Sequence, residues 1–181
     1  MREDIRKILY HESTILSRLD DLAHQITEDY RGKDLTAIAI LNGSFIFVAD
    51  LLRRIPLPLQ VDCWSVSSYH GTKSSGQVNF RQTQLADVRG RHVLILDDIL
   101  DTGVTLRAIH DRLTAESGAA SVKICALLRK NIVGDRPIDA DYVGFDIPNE
   151  FVVGYGLDYN ERFRNLPYVG VLTEEAIERY R

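Results

Sequence analysis

The densest chemistry in the chain lies between Val93 and Leu106. Four aliphatic residues, Val93-Leu94-Ile95-Leu96, run into the paired carboxylates Asp97 and Asp98. Two more aliphatics lead to Asp101-Thr102-Gly103-Val104-Thr105. A continuous aliphatic run is the pattern of a central parallel strand covered on both faces. In an open α/β sheet, ligands bind outside the carboxyl ends of such strands. Free backbone N–H groups at the start of the following helix, backed by its dipole, form a ready site for a phosphate. Thr102 and Thr105 can add hydroxyl donors there, and Gly103 permits close backbone approach. Asp97 and Asp98 put negative charge beside that anion site, which makes sense if a divalent cation or sugar hydroxyls stand between.

The elements that must position this segment are legible in the hydrophobic pattern. Residues 13–31 read as an amphipathic helix, with Ile15, Leu19, Leu22 and Ile26 at spacings of four, three and four. Ala37 to Leu41 is a short buried strand ended by the turn Asn42-Gly43. Ser44 to Ile55 is expected to be helical until Pro56 and Pro58 stop it, and Val61 to Val66 to be a strand. Residues 67–79 are polar, small and glycine-containing, and are expected to be a mobile loop long enough to suggest function. His92 to Leu96 is the central strand, Thr105 to Ala115 a helix ended by Gly118, and Val122 to Leu128 and Tyr142 to Phe145 further strands. Val152-Val153 and Val169 to Leu172 supply more strand material, and Glu174 to Tyr180 a closing helix. Strands alternating with helices define an α/β class with a mostly parallel central sheet.

At 181 residues, one domain over 1–181 is expected. The 22 basic and 26 acidic side chains leave a net charge of −4, a poor start for a dedicated nucleic-acid binder. Cys63 and Cys125 sit in separate apolar runs without CxxC spacing, which excludes a disulfide scaffold and argues against a zinc ribbon. The five histidines are scattered without paired ligand spacing. No apolar stretch approaches the length of a membrane span, and no leader is read at Met1-Arg2-Glu3-Asp4, so a cytoplasmic protein without a membrane partner is expected. Two nucleotide motifs are missing. There is no Walker-type phosphate loop, and Gly154-Tyr155-Gly156 lacks the third glycine of a dinucleotide fingerprint.

The Val93–Leu106 segment resembles the phosphoribosyl-pyrophosphate (PRPP) signature of the type I phosphoribosyltransferases. Leu41-Asn42-Gly43-Ser44-Phe45, Ser68-Tyr69, Leu127-Leu128-Arg129-Lys130 and Val143-Gly144-Phe145-Asp146-Ile147-Pro148 resemble the hypoxanthine-specific branch of that family. So does Phe151-Val152-Val153-Gly154-Tyr155-Gly156-Leu157-Asp158-Tyr159-Asn160-Glu161, ending in Phe163-Arg164. The resemblance implies a type I phosphoribosyltransferase fold with a small hood formed by the terminal segments. It implies purine salvage: Mg²⁺-dependent transfer from PRPP to hypoxanthine or guanine, giving the nucleotide and pyrophosphate. It also implies a homodimer or homotetramer.

The resemblance assigns roles residue by residue. Asp101 is the acid/base facing N7 of the purine. Asp101, Thr102, Gly103, Val104 and Thr105 cradle the 5′-phosphate, with Asp97 and Asp98 at the ribose hydroxyls. Asp97, Asp98 and Asp158 surround the Mg²⁺. Asn42, Gly43 and Arg164 meet pyrophosphate. Lys130 donates to the 6-oxo group, Phe151 stacks on the ring, and Val152 and Asp158 complete the purine site. Ser68 and Tyr69 belong to a closing lid. The chain departs from the common pattern by Asp97, often Glu, and by Asn42, often Lys or Arg. The family often has a non-proline cis peptide at this turn. A xanthine-preferring relative and an RNA-binding regulator on the same fold are the alternatives. The net charge and the intact Asp101, Lys130 and Asp158 argue against the regulator.

Overall fold

The computed structural model describes residues 1–68, 78–80, 87–116 and 118–181. After a short 3₁₀ turn at Arg2–Asp4, the chain forms β1 (Ile5–Tyr10), α1 (Glu12–Tyr30), β2 (Leu35–Leu41), α2 (Phe45–Leu52), β3 (Gln60–Ser68) and β4 (Val78–Phe80). It continues through β5 (His92–Leu100), α3 (Val104–Glu116), β6 (Ser121–Lys130), β7 (Tyr142–Ile147), β8 (Val169–Leu172) and α4 (Glu174–Arg179). The six-stranded sheet has the order β4-β3-β2-β5-β6-β7. All neighbours are parallel except β3 with β4.

Burial explains why the strands carry these residues. Leu35 to Ile40 of β2 and Val93 to Leu96 of β5 are buried throughout, because helices cover both faces of the sheet. On one face α1 and α2 bring Ile15, Leu19, Ile26, Phe47 and Leu51 against Leu94, Leu96 and Leu127. On the other, Leu106, Ile109 and Leu113 of α3 pack on Ile38, Val93, Ile95 and Ile124. Arg18 of α1 donates to the carbonyls of Gly144 and Val143, at 2.9 and 2.8 Å, and so pins that helix to the sheet's far edge.

The chain moves outward from β2 to β3, then returns to β5 and moves the other way through β6 to β7. The order therefore reverses between β2 and β5, where an open α/β sheet forms its ligand crevice. The carboxyl ends of these two strands are Leu41-Asn42 and Leu100-Asp101. Both belong to the segments picked out by residue type.

Three features differ from the sequence expectation. The strand over His92, expected to end at Leu96, extends to Leu100, so Asp97 and Asp98 lie within it rather than just beyond its end. Ladder pairing with β6 as far as Leu100↔Arg129 carries it that distance. The segment expected to be a loop over 67–79 begins and ends in strand, with Ser67↔Asn79 and Ser68↔Val78 paired. Tyr69, expected in a lid with Ser68, lies outside the described residues. The third difference is β1, which pairs antiparallel with β8 in a separate two-stranded sheet. Its sequence, Ile5-Arg6-Lys7-Ile8-Leu9-Tyr10, has no clean alternation, and only the partner strand makes it one. Together with α4 and Val153, which exchanges two hydrogen bonds of 2.9 Å with Gly170, it forms the hood expected from the terminal segments.

Candidate active site

The site starts where the β5 ladder ends. Gly103 has φ +79°, a conformation that costs glycine little and other residues much. It turns the chain from Asp101-Thr102 into α3, and the Arg107 N–H already bonds back to the Gly103 carbonyl at 2.9 Å. The turn lines a cavity of about 190 Å³ with Asp97, Asp101, Thr102, Gly103 and Thr105 in its wall. This is the arrangement of helix start, hydroxyls and glycine that suits an anion.

A second cavity, of about 220 Å³, adjoins it and is lined by Asp98, Ile99, Asp101, Lys130, Phe151, Val152, Leu157 and Asp158. The structure thus brings together every residue the sequence reading placed around a purine ring. Lys130 Nζ stands 2.9 Å from Asp101 Oδ2 across the mouth of β5 and β6. Its neighbour Arg129 points elsewhere, into Asp146 at 2.7 Å and Asp139 at 3.0 Å. Strand alternation makes that division. Phe151 is half exposed and meets Tyr159 edge to face at 5.6 Å, which leaves a ring surface at the cavity.

The third part of the site is the turn after β2. The Leu41–Asn42 peptide is cis, a point the sequence left open. A Cβ on Gly43 would stand 1.9 Å from Asp98 Oδ2, so the Asp98 carboxylate lies directly on the Gly43 backbone. A Cβ on Gly156 would stand 2.0 Å from the Gly43 carbonyl oxygen. Arg164 then closes the corner. Its NH1 donates to the Gly156 carbonyl and pairs with Asp158 Oδ1, both at 2.9 Å, while its NH2 reaches Glu161 at 3.0 Å. Asn42, Gly43 and Arg164 come from segments more than a hundred residues apart and meet at one corner.

Asp97 and Asp98 carry the unusual electrostatics. Burial, and then the neighbouring Asp98 charge, holds the Asp97 carboxyl well above the usual carboxylate range. Burial raises Asp98 as well, opposed by hydrogen bonds from Asp97 and the Ile99 N–H and by the Arg164 charge. Two desolvated carboxylates side by side are hard oxygen donors short of positive charge, the donor chemistry that suits Mg²⁺. Among the described residues no three His, Cys, Asp or Glu side chains cluster as a ligand set. Asp97, Asp98 and Asp158, expected together around the ion, therefore do not form a preassembled three-ligand set, and substrate oxygens would have to complete any Mg²⁺ shell they share.

Two contributors escaped the sequence reading. Ile99 lines both cavities, and only the alternation of a strand extended past Asp98 would have shown it. Arg136 lies in the connection between β6 and β7, where no periodicity marks it. It donates to the carbonyls of Asp101 and Lys130.

Comparison with known proteins identifies the family of the chain. The phosphoribosyl transferase domain model matches residues 6–160. The chain belongs to the phosphoribosyltransferase family, and within it to the hypoxanthine-guanine phosphoribosyltransferases. A relative in Streptococcus pneumoniae strain R6, named hypoxanthine-guanine phosphoribosyltransferase, is 49% identical over 97% of this chain and 98% of its own. A hypoxanthine phosphoribosyltransferase structure from Staphylococcus aureus superposes with a TM-score of 0.91 at 44% identity, covering 97% of this chain and 95% of that one. A variant of the Trypanosoma cruzi enzyme, solved as a ternary substrates complex, gives 0.89 at 39% identity, covering 96% and 98%.

Proposed function

We propose that the protein transfers the phosphoribosyl group of PRPP to N9 of hypoxanthine or guanine, releasing pyrophosphate, and that the whole chain 1–181 acts as one such unit. The observation that carries this is the direct contact of Lys130 with Asp101 between the phosphate turn and the Phe151 cavity. One donor for a 6-oxo oxygen and one carboxylate for a ring nitrogen stand on the same wall.

The bond from ribose C1 to pyrophosphate breaks largely before N9 attacks, so positive charge develops on the ribose while a polyanion departs. The Thr102–Thr105 turn holds the 5′-phosphate through backbone N–H groups and hydroxyls. Arg164 and the Asn42-Gly43 backbone face the leaving pyrophosphate, Arg164 as a multi-donor cation. Asp101 takes or holds the proton at purine N7, a role typically worth about 10²–10⁴-fold. Phe151 covers the ring face and the Val152 backbone meets its edge. Asp97, Asp98 and Asp158 would hold Mg²⁺, which when bound supplies positive charge to the ribose hydroxyls and pyrophosphate. The protein acts in the cytoplasm, as a homodimer or homotetramer, without nucleic-acid or membrane partners. Among the described residues no helix is long and apolar enough to cross a membrane.

The test is nucleotide formation from PRPP with hypoxanthine, guanine, xanthine and adenine side by side. Hypoxanthine and guanine are used. Adenine is rejected because its amino donor would face the Lys130 ammonium, and sites built on such a hydrogen bond discriminate by about 10⁴–10⁵. Lys130→Ala raises the base KM far more than the PRPP KM. Adenine turnover equal to that of hypoxanthine would refute the purine-site assignment.

A further inference from the structure

Arg136 bridges two backbone carbonyls at the mouth of the base cavity. Its Nε donates to the Asp101 carbonyl at 2.6 Å, and its NH2 donates to the Lys130 carbonyl. These are the backbones of the two residues whose side chains meet across the base cavity. The position matters because the β5–β6 ladder has run out here, its last pair being Leu100↔Arg129. Beyond that pair no strand hydrogen bond sets the separation of Asp101 from Lys130. Arg136 supplies the missing cross-link, with two donors of one planar group spanning two strand ends.

The brace is itself anchored. Arg107 of α3 donates to the Pro137 carbonyl at 3.2 Å. The Ile138 carbonyl lies 3.2 Å from where a Gly103 Cβ would stand, so the segment carrying Arg136 is packed on the phosphate turn. Among the described residues no carboxylate comes within ion-pair distance of Arg136, whose charge acts on Asp146 only from farther off, whereas nearby Arg129 is bonded directly by Asp139 and Asp146. The guanidinium is therefore directed to the two carbonyls.

We propose that Arg136 is a positioning residue for the base half of the reaction. It sets the spacing between the Asp101 carboxylate and the Lys130 ammonium to that of N7 and the 6-oxo oxygen, which share one edge of a 6-oxopurine. The rigid fork of a guanidinium can do this, and the single-point ammonium of lysine cannot. The inference rests on the base-site reading above. A misplacement of about 1 Å in such a site can cost about 10²-fold.

The experiment uses the full chain, with Arg136→Lys and Arg136→Gly. It measures kcat and KM for hypoxanthine and for PRPP, with and without millimolar guanidinium or ethylguanidinium. Both variants are expected to lose about 30- to 100-fold in kcat/KM for the base while the PRPP KM stays within about 3-fold. Added guanidinium restores Arg136→Gly and leaves Arg136→Lys unchanged. Circular dichroism checks that Arg136→Gly is folded; where it is not, Arg136→Lys alone decides. A wild-type protein that forms no nucleotide counts against the function reading. An active wild type whose Arg136→Lys variant keeps its base kcat/KM within about 3-fold overturns the role of Arg136. So does a loss shared equally by base and PRPP.

Discussion

Asp101 has two partners at once: its carboxylate faces Lys130 and its carbonyl accepts from Arg136. Replacing only the charge separates chemistry from architecture. Asp101→Asn keeps the side-chain volume and the backbone bond, so fold and PRPP binding are retained while kcat falls by about two or more orders of magnitude. Steady-state rates with saturating PRPP check this, and a near-normal kcat would remove Asp101 from proton transfer. Asp97 makes a different prediction. Its carboxyl is raised above the ordinary value, so ionisation in the folded protein comes at a higher pH than in the unfolded chain. Stability from this group is greatest below the ordinary Asp pKa of about 3.9 and is lost as pH rises through the folded value. At neutral pH, without a cation, the charge is a cost. Asp97→Asn should therefore raise Tm by about 2–4 °C, equivalent to about 1 kcal/mol, while weakening PRPP binding. A thermal melt at pH 7 in chelator, showing a lower Tm for the variant, would contradict this.

At the scale of elements, the site depends on turns that press backbone against backbone. The clearest is the contact of Gly156 with the Gly43 carbonyl. Gly156 has φ +104°, and a methyl group there would meet a backbone oxygen that has nothing flexible to move. Tyr155 beside it is buried, also at positive φ, and its hydroxyl donates to Asp50 of α2, the helix that begins just after Gly43. The arm carrying Asp158 and Arg164 is thus registered against the pyrophosphate corner by a contact and by a hydrogen bond. Gly156→Ala should raise the PRPP KM by at least tenfold and lower stability by about 1–3 kcal/mol, with less effect on the base KM. Denaturant melts and the two KM values read both effects. An unchanged PRPP KM would show that the corner is not part of the PRPP site.

Across the whole molecule, the reversal of strand order between β2 and β5 opens the crevice, and the β1–β8 sheet with α4 carries the Val152–Arg164 arm over it. Substrate contacts therefore come from both parts, and the buried pair Asp97 and Asp98 at their junction has only the Arg164 charge, acting on Asp98, to offset it. Chelator should abolish turnover, and Mg²⁺ should restore it. Mg²⁺ with PRPP should raise Tm in a concentration-dependent way, as a ligand bound only by the folded state must. Full turnover in excess chelator, or a Tm indifferent to both, would refute the role given to Asp97, Asp98 and Asp158.

The parts of the fold and site that were legible in the amino-acid order are those whose signal is local. The aliphatic run into Asp97-Asp98 and the Asp-Thr-Gly turn are contiguous, so strand, turn and helix start follow from periodicity and residue type. The four-three-four spacing of Ile15, Leu19, Leu22 and Ile26 likewise marked the face of α1 that is buried. Features that depend on partners distant in the chain became visible only in the folded molecule. β1 is a strand because β8 lies beside it, and Asp97 and Asp98 stay in β5 because β6 continues the ladder past them. No residue near Gly43 indicates that Asp98 and Gly156 close on it. Arg136 is an unremarkable loop arginine until the fold sets two carbonyl oxygens before it. Local patterns record the preference of a segment for its own conformation. A binding site is made by separations across the sheet, which no window of sequence contains.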